Sequence, residues 1–193
     1  GGLNPDSVEM AARLGAKTVW LPSHDSAHHN RVIDDPGTHW IELLDEHDKP
    51  LPELYKIFEI VAANDMILDP CHASTKQRFV VIQEAKKVGV KHFMLTHPNW
   101  NVTKMSIPQM IEISKLGAYV GIFAYGDIPN FNNPHCDPNY FIQCIKEIGA
   151  DHVFIANSTE KLFRNSTFCH FECSVKSQAE VKSRVKISPI RSK

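Results

Sequence analysis

The sequence lacks the features that mark membrane proteins, disulfide-rich domains and dinucleotide-binding domains. No apolar run approaches the roughly 20 residues that span a bilayer, and the opening GGLNPDSVEM lacks the charged-then-apolar order of a secretory signal. The five cysteines are odd in number and include no Cys-x-x-Cys pair, which argues against a disulfide framework. No Gly-x-Gly-x-x-Gly follows an apolar run. We therefore expect a cytoplasmic protein with no membrane contact.

Charge is nearly balanced over the whole chain but unevenly distributed along it. The formal net charge is −1, whereas residues 161–193 hold eight Lys or Arg and only two Glu. Such a basic segment can contact nucleic acid, but no RNA-binding or helix-turn-helix pattern accompanies it. We expect no nucleic-acid partner. We predict one domain over residues 1–160, followed by a basic, poorly ordered tail over residues 161–193.

What the sequence does contain is one unit repeated five times: an amphipathic helix, a turn, and a short apolar strand. The first helix, NPDSVEMAARLG, has Asn4 as its predicted N-cap and Pro5 at its first position. The strands are predicted to start near residues 17, 66, 91, 118 and 152. Gly and then Asn adopt left-handed backbone most easily. The helices are therefore predicted to end at Gly15, Asn64, Gly89, Gly117 and Gly149.

This alternation indicates an α/β fold with a parallel sheet covered by helices. Two architectures fit, a partial TIM-like (β/α) barrel and an open doubly wound sheet. Polar residues end the strands, and this favours the barrel because all its strand ends meet at one mouth. These residues are Ser23-His24-Asp25, Cys71-His72, Thr96-His97, Tyr125 with Asp127, and Asn157-Ser158. The long connection from Ser23 to Glu53 carries five histidines, and loops of this length are usually functional or disordered.

Four motifs in this order resemble a known type of enzyme. They are the opening GGLNPDSVEMAARLGAKTVWLPSHDSAHH, HAS after one strand, LTHP after the next, and GADHVFIANS at the last. Over about residues 1–160 they resemble an uncharacterised amidohydrolase-like family, that is, metal-dependent hydrolases with a TIM-barrel fold. By this resemblance His72 and His97 match metal-binding histidines of the fifth and sixth strands. Asp25 and His29 match polar positions after the fourth strand.

The resemblance implies a divalent metal cofactor, zinc, bound by His72 and His97. Imidazole nitrogen is a good ligand for zinc and similar ions. Asp25 and His29 would then assist the hydrolysis of an amide, lactone or ester-like bond in a small-molecule substrate.

The chain departs from the family pattern in two places. By the resemblance it begins where such a barrel would enter its fourth strand, so we expect this chain to lack the first three strands and their His-x-His pair. Ser158 stands where the superfamily places an aspartate, and a hydroxyl cannot replace a carboxylate that takes a proton from water. We therefore expect hydrolase activity to be weak or absent in this chain.

Two other functions stay open. One is a non-catalytic partial barrel that pairs with another chain, for which a homo-oligomer is one form. The other is a phosphoesterase of another histidine-rich barrel class. The plain alternative for each histidine is a partly buried side chain bonded to backbone. We expect His24, His28 and His39 to be surface groups, and Cys71 to be a small core residue.

Overall fold

The computed structural model describes residues 2–35, 37, 40–123 and 138–156, which form a parallel sheet of five strands and six α-helices. The helices are α1 (Pro5–Arg13), α2 (Ala27–Ile33), α3 (Pro52–Ala63), α4 (Thr75–Val88), α5 (Ile107–Lys115) and α6 (Pro138–Ile148). The strands are β1 (Thr18–Trp20), β2 (Ile67–Asp69), β3 (His92–Leu95), β4 (Ala118–Phe123) and β5 (Val153–Ala156), and a 3-10 turn (Ala150–His152) precedes β5. The predictions for His39, Tyr125, Asp127, Asn157, Ser158 and the tail, with the boundary at residue 160, lie outside the described residues.

The predicted order of helices and strands is confirmed, and each strand starts within one residue of its predicted position. Asn4 caps α1 as predicted, because its side chain accepts hydrogen bonds from the amides of Asp6 and Ser7. The one helix that the sequence did not predict is α2, which lies inside the long connection between β1 and α3.

The predicted helix ends are also confirmed, including the end of α3 at Asn64, but the left-handed backbone expected at Asn64 is wrong. Gly15, Gly89, Gly117 and Gly149 all have left-handed backbone, with φ between 90° and 110°. Asn64 keeps φ at −103°, and the next residue, Asp65, takes the left-handed conformation with φ of 49°. The physical reason is that Asn64 closes α3 through its side chain, whose Nδ2 donates to the Ile60 carbonyl at 2.8 Å.

The sheet follows the sequence order β1-β2-β3-β4-β5, and every neighbouring pair is parallel. One face of the sheet carries Val19, Leu68, Phe93 and Val120, which pack into the hydrophobic core with the helices. Within the helix layer, α3 contacts α1 and α4, and α5 contacts α6. The α/β class with a helix-covered parallel sheet is therefore confirmed.

Within the described ranges, no helix has the length and apolar character needed to cross a membrane.

Candidate functional site

Four histidines meet at the C-terminal edge of the sheet. His24, His72 and His97 follow β1, β2 and β3, and His29 lies on α2. The ring centroids are 4.9 Å apart for His24–His29, 5.4 Å for His24–His72, 4.9 Å for His29–His72 and 5.6 Å for His72–His97. We call these four residues the histidine cluster. The expected proximity of His72 and His97 is confirmed, as parallel strand ends share one edge.

Two aromatic rings line the cluster. The Trp100 indole lies 5.6, 5.2 and 5.8 Å from the rings of His29, His72 and His97. The Phe123 ring, at the end of β4, lies 4.2 Å from the His97 ring. His29 and His72 are buried, whereas His24 is exposed. The cluster is therefore bounded by apolar groups on one side and reaches solvent at His24.

His29 and His72 are joined by a hydrogen bond between their Nδ1 atoms, which are 2.9 Å apart. One Nδ1 must carry the proton and donate, while the other accepts, so both rings cannot be doubly protonated at once. The two rings are nearly parallel, with an interplanar angle of 10°. The pair is thus a site at which one proton is held between two imidazoles.

Burial keeps His29, His72 and His97 uncharged at neutral pH. Desolvation lowers the pKa of His72 to about 3, helped by the neighbouring His29 and His97. Desolvation likewise lowers the pKa of His97 to about 4, and the pKa of His29 is also lowered, first by burial and then by His24. Neutral imidazole is the form that binds metal ions and accepts protons.

The backbone at His72 and His97 is held in an unusual conformation. Cys71 and His97 both have left-handed backbone, with φ of 50° and 54°. Hydroxyl groups fix the adjoining carbonyls: Ser26 Oγ donates to the His72 carbonyl at 3.1 Å, and Thr103 Oγ1 donates to the His97 carbonyl. Left-handed residues other than Gly cluster at functional sites, so the strain is consistent with a site here.

The structure brings three of the four predicted site residues together and leaves one apart. His29, His72 and His97 belong to the cluster, but Asp25 is exposed. Its carboxylate makes no hydrogen bond or ion pair in the part of the chain that the structure describes, and its carbonyl accepts from the Ile41 amide at 2.9 Å. The catalytic role predicted for Asp25 therefore stays a prediction without a contact to support it.

Cys71 and His28 have structural surroundings. Burial raises the pKa of the Cys71 thiol to about 12, so the thiol stays protonated, as expected for a small core residue. The expectation that His28 is a surface group is wrong. Its side chain is partly buried, and Nε2 donates to the Val102 carbonyl at 2.8 Å, which ties α2 to the loop after β3.

His24 is the cluster residue that sequence reasoning missed, because it was expected to be a surface group. It is exposed, yet its ring joins the cluster. Asn30 fixes its backbone by donating from Nδ2 to the His24 carbonyl at 2.6 Å. The sequence held a usable signal: His24 follows β1 as His72 follows β2 and His97 follows β3.

The cluster has the residue type and the ring separations that suit a divalent transition ion, but its nitrogen atoms are not arranged to hold one. The ring separations of 4.9 and 5.6 Å bracket the about 5 Å expected when two imidazoles bind one ion at about 2.0–2.1 Å. Among the residues described, however, no group of three or more His, Cys, Asp or Glu is arranged to hold a metal ion. The 2.9 Å between the two Nδ1 atoms is also shorter than the about 3.3 Å between two nitrogens on a tetrahedral zinc ion. Metal binding through both of these nitrogens requires the hydrogen bond to open.

A protein-family model matches residues 1–121, more than half of the chain. The chain belongs to the family of unknown function DUF6282. No curated protein and no solved structure matches it. The DUF6282 match contains all four cluster histidines and Trp100 and ends within β4. The four histidines and Trp100 thus lie inside the family region, whereas Phe123 lies just beyond it.

Proposed function

We propose that the histidine cluster is the active centre of a metal-dependent hydrolase of the amidohydrolase type, acting on an amide, lactone or ester-like bond. The observation that carries the proposal is the meeting of four imidazoles at the C-terminal edge of a parallel sheet. Active sites of (β/α) barrels lie at that edge. Three of the four imidazoles are neutral at neutral pH for the electrostatic reasons given above.

The strand order supports a partial TIM-like barrel as the scaffold. Crossovers between parallel strands are right-handed in nearly all proteins, so strands in sequence order carry their helices on one face, as barrels do. A doubly wound sheet instead reverses its strand order at a switch point. The five described strands run in order without such a reversal.

His72 and His97 are the proposed ligands of a zinc or similar divalent ion, and His29 is a candidate third ligand. Such an ion, when bound, lowers the pKa of water and polarises the bond to be cleaved. The chain itself supplies the rest. Trp100 and Phe123 keep one side of the site apolar, and His24 stands at the solvent side. The Nδ1 atoms of His29 and His72 can pass a proton between them when the ion is absent.

We expect turnover to be weak. A catalytic zinc site uses about three protein ligands and one open position, and the His29–His72 hydrogen bond competes with metal binding. The carboxylate expected at residue 158 is replaced by serine.

Metal titration with matched variants tests the proposal. Purified protein is titrated with zinc or manganese by calorimetry and assayed on simple amide, lactone and phosphoester substrates. Binding and any metal-dependent turnover should be lost in both His72→Ala and His97→Ala. They should persist in His47→Ala, because His47 is an exposed residue that pairs with Glu46. Zinc binding that is equal in wild type and both cluster variants would overturn the proposal.

A second candidate function is a non-catalytic partial barrel that pairs with another chain. The observation that favours it is exposed apolar surface on the two strands that end the described sheet: Trp20 on β1 is 60% exposed and Ile155 on β5 is 62% exposed. An edge strand offers unpaired backbone groups to a second chain, and apolar side chains on that strand do not oppose pairing as charged ones do. An absence of metal binding together with self-association would favour this function over the hydrolase.

A further inference from the structure

Two charged side chains are buried under the histidine cluster. Asp69 is the last residue of β2 and Arg78 lies on α4, and both are fully inaccessible to solvent. Desolvation raises the pKa of Asp69 and lowers the pKa of Arg78 to about 10. Buried charges are costly unless their surroundings satisfy them. Their hydrogen-bond partners therefore indicate which parts of the backbone the two side chains stabilise.

Asp69 accepts hydrogen bonds from backbone amides in two turns. Its Oδ1 accepts from the Cys71 amide at 2.7 Å and, more weakly, from the Thr96 amide at 3.4 Å. Its Oδ2 accepts from the Thr96 hydroxyl. One carboxylate therefore joins the turn after β2 to the turn after β3.

Arg78 donates hydrogen bonds to backbone carbonyls in the same turns. Its Nη2 donates to the Cys71 carbonyl at 2.6 Å and to the Thr96 carbonyl at 2.8 Å. Its Nη1 donates to the Thr103 carbonyl at 3.1 Å. The backbone groups of Cys71 and Thr96 are thus bonded on the amide side by the carboxylate and on the carbonyl side by the guanidinium.

The two clamped residues directly precede two histidines that follow strands, the buried His72 and the half-buried His97. Cys71 precedes His72, and Thr96 precedes His97. The left-handed backbone at Cys71 and His97 persists only where surrounding contacts impose it, and the bonds to Asp69 and Arg78 supply those contacts. All three carbonyls that the guanidinium contacts lie after β2 or β3, so the side chain is placed to serve these turns.

We propose that Asp69 and Arg78 are positioning residues that set the separation and orientation of the His72 and His97 imidazoles. The importance of this role rests on the proposed function of the cluster. The geometric effect itself can be measured on the metal-free protein, so the two ideas can fail separately.

The test uses imidazole signals in long-range proton–nitrogen spectra of metal-free protein with labelled histidine. Arg78→Lys keeps the charge but loses the fork that reaches several carbonyls. Thr96→Val removes the hydroxyl that bonds Asp69, and Thr96→Ser restores it. Ile82→Val is the control for destabilisation, because Ile82 is buried in the core of the same helix and forms no hydrogen bond to either turn.

We expect the His72 and His97 signals to shift in Arg78→Lys and Thr96→Val, and to match wild type in Thr96→Ser and Ile82→Val. Cobalt(II), used as the probe ion, should bind about tenfold or more weakly in the first two variants. A folded Arg78→Lys with wild-type imidazole signals would overturn the proposal, and so would equal shifts in Ile82→Val. If Arg78→Lys does not fold, the imidazole signals of Thr96→Val and Thr96→Ser test the proposal instead. If wild-type protein binds no cobalt, the hydrolase proposal fails and the imidazole signals alone decide the positioning role.

Discussion

At the scale of single residues, the chemistry of the cluster depends on which imidazole nitrogens carry a proton. The Nδ1 atoms of His29 and His72 share one hydrogen bond, and burial opposes a positive charge on either ring. The groups that face His72 are His24, His29, His97 and Arg78, and each of them disfavours its protonation. Folding therefore favours the neutral form of His29 and His72.

The first prediction is that acid destabilises the metal-free protein through His72. Its pKa is about 3 in the folded protein against 6.5 ordinarily, so the unfolded chain takes up the proton first as pH falls. The stabilisation is fully present above pH 6.5 and is lost as pH falls towards 3. The slope is at most about 1.4 kcal/mol per pH unit for one group. The raised pKa of Asp69 has the opposite effect on stability. Its contribution to the free energy of unfolding falls as the pH rises above the ordinary pKa of an aspartate.

Urea unfolding in the presence of a chelator, from pH 7.5 to 4.5, measures this effect. The slope of unfolding free energy against pH should be smaller in His72→Leu than in wild type. It should be unchanged in His47→Leu, where an exposed histidine is replaced. An identical slope in wild type and His72→Leu would contradict the prediction.

At the scale of elements, β4 shapes the wall of the cluster through one glycine. A Cβ at Gly121 would lie 2.7 Å from the Leu95 carbonyl oxygen and 2.8 Å from Phe123 Cε2, and it would also meet the Phe154 ring. Real Cβ atoms do not approach this closely, and backbone cannot move as a side chain can. The absence of a side chain at Gly121 thus lets Phe123 keep its place against His97.

The second prediction is that Gly121→Ala destabilises the protein by about 1–3 kcal/mol, the usual cost of overpacking, and changes the surroundings of His97. Thermal unfolding and the His97 imidazole signal measure the two effects. Gly15→Ala is the matched control, because Gly15 has φ of 90° but no atom near the added Cβ. It should cost about 1–2 kcal/mol through backbone strain alone and leave the His97 signal unchanged. A shifted signal in Gly15→Ala, or none in Gly121→Ala, would count against this role of Gly121.

The elements that the sequence predicted are those with local signals. Asn4 at a helix start and Gly89 or Gly117 at helix ends act through backbone within a few residues. Helix α2 has no such signal, because it is fixed by distant partners such as the bond from His28 to Val102. Ser26, its N-cap, bonds the His72 carbonyl instead of the helix.

The same physical reason explains which parts of the site escaped prediction. His72 and His97 could be placed together, because both directly follow neighbouring parallel strands. The role of Arg78 could not be foreseen, since a cationic residue in a helix is ordinarily solvated. Its burial depends on carbonyls at Thr96 and Thr103, which the chain brings near only when folded.

At the scale of the whole molecule, the described sheet has two ends. β1 pairs only with β2, and β5 pairs only with β4, within the residues that the structure describes. The helices cover one face, and large apolar side chains stand exposed on both end strands. Unpaired strand edges of this kind favour association with another chain.

The last prediction is that the protein self-associates through its end strands. Light scattering after size exclusion, over a range of protein concentration, should show mass increasing with concentration. Trp20→Lys and Ile155→Lys should each weaken association at least about tenfold, since burying one large apolar side chain contributes about 1.5–3 kcal/mol and a charge on an edge opposes pairing. Leu14→Lys is the matched control, because Leu14 is 82% exposed but caps α1 and lies off the sheet. A monomer at every concentration, or equal weakening by Leu14→Lys, would show that these strands do not mediate association.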